Sequence, residues 1–134
     1  MRLLIVDDSP EIVEILSSVM EATGHEVNKA YNGTEAVQHL LKERYDVVIT
    51  DAKMPEMDGI ELCKFIKSHF PSVYIIGISG YFEALGELKD AGADICFSKP
   101  FKIEKIEEAI ENRFRPDPTP SSSTGYMNYC LDSL

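Results

Sequence analysis

The sequence predicts an α/β protein, a doubly wound sheet of five parallel strands with helices on both faces. Two observations predict it. Short β-rich runs alternate with longer stretches of helical spacing along the 134 residues. Such alternation joins parallel strands through right-handed helical crossovers. The first run, LLIV at 3–6, is apolar at every position rather than at every second one, as in a strand covered on both faces. Ligands of such a sheet bind beyond the carboxyl ends of the strands, where the strand order reverses.

The elements follow in order. SPEIVEILSSVMEATG (9–24) opens as a helix does. Ser9 can cap it, Pro10 suits the first helical position, and Glu11 falls in the first turn. Ile12, Ile15, Leu16, Val19 and Met20 form the expected apolar stripe, and Gly24 stops the helix. HEVNKA (25–30) is a shorter, more polar strand that belongs nearer a sheet edge. NGTEAVQHLLKER is the second helix, with Ala36, Val37, Leu40 and Leu41 expected to face inward. DVVIT (46–50) is the third strand, and DGIELCKFIKSHF the third helix with Asp58 as its cap. VYIIGIS (73–79) is the fourth strand. The helix in YFEALGELKDAG is the weakest, because Gly86 in its middle costs about 1 kcal/mol relative to Ala. DICFS (94–98) is the fifth strand, and KIEKIEEAIENRF the last helix, with Ile103, Ile106, Ile110 and Phe114 at helical spacing. From Arg115 the composition turns Pro/Ser/Thr-rich, as in a linker. The expected organisation is one domain over residues 1–114 and a linker and tail over 115–134, with no output domain.

Composition narrows the function classes. The chain is 44% hydrophobic and 27% charged, enough for a real core, and no apolar run is long enough to cross a bilayer. The N-terminus MRLLIVDDSPE meets acid after four apolar residues and lacks the features of a signal peptide, so the expected location is the cytoplasm. Cys63, Cys96 and Cys130 are widely spaced and form no C-x-x-C pair, which argues against a disulfide framework or a zinc site. A net charge of −10 disfavours direct binding to nucleic acid or to anionic lipid.

The chemistry lies at the strand ends. Asp7 and Asp8 follow the first strand, Asp51 the third, Ser79 ends the fourth and Lys99 follows the fifth. In a parallel sheet all five lie on one edge. Singly, each has an ordinary reading as a helix-entry, capping, turn or solvated residue; together they form a constellation. If strands one, three and four are neighbours, three carboxylates converge, and their mutual repulsion calls for a cation. An oxygen-only site of this kind suits Mg²⁺. Asp51 can then act as nucleophile toward a phosphoryl group, a reaction that needs positioning and charge neutralisation more than proton transfer. Lys99 and the Ser79 hydroxyl can hold phosphoryl oxygens, and Gly80 leaves room beside them. None of His25, His39 and His69 falls at a strand end facing this edge.

LLIVDDSPEIVEIL, DVVITDAKMPEMDGIEL, GIS and AGADICFSKPF together resemble the receiver domain of two-component response regulators, in register over roughly residues 1 to 114. The resemblance implies a flavodoxin-like (βα)5 fold with strand order 2-1-3-4-5. It implies that Asp51 is the phosphoacceptor, that Asp7 and Asp8 are the acid pair of a Mg²⁺ site, and that Lys53 adds its backbone carbonyl to the metal. Ser79 matches the family's hydroxyl residue and Lys99 its lysine, followed by a Lys99–Pro100 bond that is typically cis. A histidine kinase or histidine phosphotransfer protein would donate the phosphoryl group. The protein would catalyse only its own phosphorylation and dephosphorylation, signal through altered protein contacts, and pair with a second copy through the helix 4–strand 5–helix 5 face.

One departure and two tuning positions sharpen these expectations. The family usually has an aromatic switch residue three positions before the lysine; here Cys96 stands there, and Phe97 falls on the opposite face of the strand. Lys53 and Tyr81 occupy the positions that tune phosphoryl lifetime, and their bulk implies a rather stable aspartyl phosphate. Two rival functions remain. One is a receiver-shaped interaction module that is never phosphorylated, which usually loses an acid or the lysine. The other is a phosphatase of the haloacid dehalogenase type, which places D-x-D after its first strand where this chain has Asp7-Asp8-Ser9.

Overall fold

The computed structural model describes residues 1–115. The linker and tail predicted beyond them lie outside the described residues. Strands and helices alternate throughout: β1 (Arg2–Val6), α1 (Pro10–Ala22), β2 (Glu26–Ala30), α2 (Gly33–Lys42), β3 (Val47–Asp51), α3 (Gly59–His69), β4 (Tyr74–Ser79), α4 (Phe82–Ala91), β5 (Ile95–Ser98) and α5 (Ile103–Phe114). The sheet is parallel with strand order β2-β1-β3-β4-β5, so the resemblance gave the topology correctly. The chain runs outward from β1 to β2, returns past β1 to β3 and continues outward to β4 and β5. The crevice between the carboxyl ends of β1 and β3 is the switch point.

Each face of the sheet has its own core. Leu4, Val6, Val48 and Ile75 pack with Ala36, Leu40, Leu62, Ile66 and Leu88, from helices α2, α3 and α4. Leu3, Ile5, Val47, Ile49, Ile76 and Ile78 pack with Val13, Leu16, Met20, Ile106 and Ile110, from α1 and α5. Adjacent residues of one strand thus serve opposite layers, which is why the strands read as unbroken apolar runs. Cys96 packs in the first layer and Phe97 in the second, as alternation along β5 requires.

Two side chains expected inside lie outside. Ile15 is 57% exposed, and its place in the α1 stripe is taken by Val13, which is fully buried. Leu41 is 67% exposed, while Ala36 and Leu40 carry the buried face of α2. Each helix meets only one side of the sheet, so its contact stripe is narrower than the apolar spacing in the sequence.

Helix starts follow the capping chemistry. The Ser9 hydroxyl accepts from Ile12 N at 3.5 Å, with Pro10 opening the helix. Asp58 and Glu61 form a full capping box, the Asp58 carboxylate accepting from Glu61 N and the Glu61 carboxylate from Asp58 N. Helices α4 and α5, with Tyr81 and Lys102 at their N-caps, start without a side-chain cap.

Candidate metal and phosphoryl site at the carboxyl edge

Register brings the site together. Val6 pairs with Thr50, which sets Asp7 beside Asp51, and Ser79 pairs with Ser98, which sets Lys99 one residue beyond. The Lys99 N–H donates to Ser79 O at 2.8 Å and holds that corner. Asp7, Asp8 and Asp51 each present a carboxylate oxygen within 4.8 Å of the others. Asp7 is fully buried and Asp51 is 7% exposed, while Asp8 faces solvent. The Lys99 ammonium crosses the end of β4 to reach Asp7 Oδ2 at 3.1 Å and Asp51 Oδ1 at 3.4 Å. The Lys99–Pro100 peptide is cis.

The acids are held from below by the main chain. Asp7 Oδ1 accepts from Ser9 N at 3.0 Å, and Asp51 Oδ1 from Ala52 N at 2.9 Å. The Thr50 hydroxyl donates to the Asp51 carbonyl at 2.9 Å. Burial first, then the charge of Asp7, push the Asp51 carboxyl up to about 6, against the pull of Lys99 and the Ala52 N–H. Burial works against the charge on Lys99, but its hydrogen bond to Asp7 and the charges of Asp51 and Asp7 outweigh it and raise its pKa.

Three carboxylates and one ammonium leave a formal charge of −2 when all are ionised. A hard divalent cation, bound through oxygen and retaining water on its exposed side, balances that charge. The donor set therefore fits a metal on its chemistry.

The other predicted residues fall around this centre. Ser79 is buried, and its hydroxyl accepts from Tyr81 N at 3.0 Å, so it braces the entry to α4. A Cβ added at Gly80 would meet nothing within 4 Å, which leaves the space above the edge open. The Lys53 side chain points to α4, where its ammonium lies 4.0 Å from Glu87 Oε1. Tyr81 is largely exposed. Cys96 donates a weak Sγ–H···O contact to Leu85 O at 3.7 Å. The three histidines lie away from the edge: His25 near the N-terminus, His39 near Tyr45, and His69 stacked on Phe65.

Two glycines that shape the site carried no functional expectation from the sequence. A Cβ at Gly59 would lie 1.9 Å from the Asp51 carbonyl oxygen, so α3 starts directly against the backbone of Asp51. Gly33 makes the same kind of approach to Met57. Both follow a capping Asn or Asp and occupy the first helical position, where Ala forms helix better. That poor choice of residue was the available signal.

Residues 3–111 match the Response regulator receiver domain family. The chain is 38% identical over 112 residues to the Sporulation initiation phosphotransferase F of Bacillus subtilis, covering 82% of this chain and 90% of that protein. It is 36% identical over 124 residues to the Transcriptional regulatory protein CpxR homolog of Haemophilus influenzae, covering 91% of this chain but only 54% of that protein. Among solved structures it resembles a CheY-like receiver domain protein from Methanospirillum hungatei, with TM-score 0.79 and 30% identity over 84% of this chain and 91% of that one. It also resembles the response regulator TrrA from Thermotoga maritima, solved in complex with Mg(2+)-BeF, with TM-score 0.77 and 32% identity over 83% of this chain and 96% of that one. The family match over residues 3–111 removes the haloacid dehalogenase reading, and Asp7-Asp8-Ser9 links β1 directly to α1. With its acidic pocket of Asp7, Asp8 and Asp51 at the switch point of a (βα)5 sheet, the chain belongs to the response regulator receiver domains, the phosphoryl-accepting receivers of phosphorelay signalling.

Proposed function

We propose that Asp51 is the phosphoacceptor, and that Asp7, Asp8, Asp51 and the Lys53 carbonyl hold Mg²⁺. The observation that carries this reading is the Lys99 ammonium, which spans Asp7 and Asp51 at 3.1 and 3.4 Å above three clustered carboxylates. A group already bound to two acids at this edge is placed to receive a third anion, the incoming phosphoryl. An oxygen of Asp51 attacks phosphorus in line, the P–N bond of the donor's phosphohistidine breaks, and the imidazole leaves with the electron pair. Lys99 neutralises one phosphoryl oxygen. Mg²⁺, held by Asp7, Asp8, Asp51 and the Lys53 carbonyl, would supply further charge neutralisation. The Ser79 hydroxyl, whose oxygen accepts from Tyr81 N, then donates its proton to a phosphoryl oxygen and draws the start of α4 with it.

The donor is a histidine kinase or histidine phosphotransfer protein, and it must lie against the rim of the site. An apolar groove lined by Ile12, Ile15, Leu16, Pro100, Phe101 and Ile103 shares Lys99 with the site, and Ile15 stands exposed at its edge. That continuity supports the groove as the seat of the donor. The readout face is α4, β5 and α5, where Phe82 is 85% exposed, and through which a homodimer would form. The receiver unit spans 1–114, acts in the cytoplasm, and is followed by a linker and tail at 115–134.

The test is phosphotransfer from a phosphorylated histidine protein compared with acetyl phosphate. Asp51→Asn should accept from neither donor. Ile15→Asp should accept from acetyl phosphate as wild type does and lose transfer from the protein donor. A wild-type chain that accepts from neither, with Mg²⁺ present, would instead identify an interaction module that is never phosphorylated.

A further inference from the structure

The segment between Asp51 and α3 carries the Lys53 carbonyl, and both of its ends are fastened through glycine. At the near end the Gly59 N–H donates to Ala52 O at 2.9 Å, and Ala52 N in turn donates to Ile78 O at 3.1 Å. At the far end the Gly33 N–H donates to Met57 O at 3.0 Å. Gly33 is the first residue of α2, from a different part of the chain. Its position is set by a cap of its own, with Asn32 Oδ1 accepting from Glu35 N at 2.8 Å and Glu35 Oε1 accepting from Tyr31 N at 2.8 Å. Between the two anchors Met54 is buried in the core, and Glu56 turns the chain at φ 65°, a left-handed conformation that a non-glycine residue adopts only where its surroundings hold it.

A side chain at position 33 cannot be fitted without moving this segment. A Cβ on Gly33 would lie 2.3 Å from Met57 O, 2.7 Å from Met57 Cγ and 2.8 Å from Met57 Cβ. The carbonyl is main chain, so it cannot swing aside as a side-chain tip does. Reaching even 3.0 Å shifts it by roughly 0.7 Å relative to α2. Mg²⁺ demands near-ideal octahedral geometry at about 2.0–2.1 Å, so a shift of Met57 passed along the segment to the Lys53 carbonyl weakens its binding.

We propose that Gly33 is a positioning residue for the metal site, pinning the 52–58 segment through Met57 so that the Lys53 carbonyl stays level with the three carboxylates. The inference rests on the Mg²⁺ reading of the site. It extends that reading to a helix that contributes no ligand, and it makes the seating of α2 a determinant of cation affinity.

The test is titration of the purified chain with Mg²⁺ alone, followed by calorimetry, for wild type, Gly33→Ala and Gly86→Ala. Gly86 is also helical, but a Cβ there meets nothing within 4 Å. The expected result is Mg²⁺ binding about tenfold weaker in Gly33→Ala, the size of effect seen when a group supporting a ligand is lost, and unchanged in Gly86→Ala. A merely structural glycine would lower the melting temperature and leave Mg²⁺ affinity as in wild type, and that outcome overturns the proposal. Absence of Mg²⁺ binding in wild type would instead overturn the reading of the site itself. Hydrogen exchange at the Gly33 amide of the wild type, with and without Mg²⁺, decides the matter even if Gly33→Ala does not fold. Severalfold slower exchange with Mg²⁺ is expected, and identical exchange contradicts the pin.

Discussion

The two edges of the sheet are built from the same strands and treat charge in opposite ways. At the amino edge, Arg2 opens β1 and is matched at once: Glu26 lies 3.1 Å from its guanidinium, Glu43 lies 3.9 Å away, and the Asp46 carboxylate accepts from Arg2 N at 2.8 Å. These groups are open to water, where ion pairs contribute little and are screened by salt. At the carboxyl edge β1 and β3 end beside Asp7 and Asp51, both buried, with Lys99 the one ammonium paired with them among the described residues. The first arrangement is balanced and cheap. The second keeps an excess of negative charge out of water, which costs stability unless a cation or proton arrives. That imbalance marks the functional edge more clearly than any single residue does.

The largest expected break in this contrast is loss of Asp51, the proposed nucleophile. Asp51→Asn removes phosphorylation altogether, read by intact-mass spectrometry. In the metal-free protein near neutral pH it also raises the denaturation midpoint, because it discharges the crowded pair.

Lys99→Ala acts in the other direction. It leaves Asp7 and Asp51 facing each other, and chemical denaturation at neutral pH without metal should show a loss of about 1–3 kcal/mol, less than for a fully buried pair because Lys99 is partly open to solvent. By contrast, Glu26→Gln at the amino edge should leave the denaturation midpoint unchanged within error.

The pH dependence follows from Asp51. Its carboxyl is raised from 3.8 to about 6, so between these values the folded state binds more protons than the unfolded chain. Stability of the metal-free protein therefore falls as pH rises through that window, by up to roughly 2–3 kcal/mol from this group. Saturating Mg²⁺ should flatten that slope, since bound metal favours the ionised acid. Asp51→Asn should remove this contribution even without metal.

The smallest expected effect concerns the readout. Cys96 is a small strand residue whose thiol is kept protonated by burial and which touches Leu85. Cys96→Ala should leave phosphorylation-dependent partner binding unchanged, and a large loss would show that Cys96 carries the switch. The aspartyl phosphate should persist well beyond seconds in the purified protein; decay within seconds would show that Lys53, drawn toward Glu87, does not shield it.

Much of this was legible in the sequence, because apolar runs and caps are local signals. The ten elements, the strand-end acids and the Lys99 position all followed from them. The facing of Ile15 and Leu41 did not, since it depends on how wide a stripe each helix presents to one layer. Nor did the hold of Ser79 on Tyr81, the reach of Lys53 to Glu87, or the close approaches of Gly33 and Gly59. Each depends on tertiary placement, where a glycine reads equally well as a turn or as a contact.

The most direct measurement is peptide-resolved mass spectrometry of the chain after incubation with acetyl phosphate, with Mg²⁺ and with Mg²⁺ removed by chelation. A single phosphoryl group on Asp51, formed only with Mg²⁺ and absent from Asp51→Asn, is the predicted result. No adduct with Mg²⁺, or an adduct on another residue that survives Asp51→Asn, would contradict the assignment of Asp51.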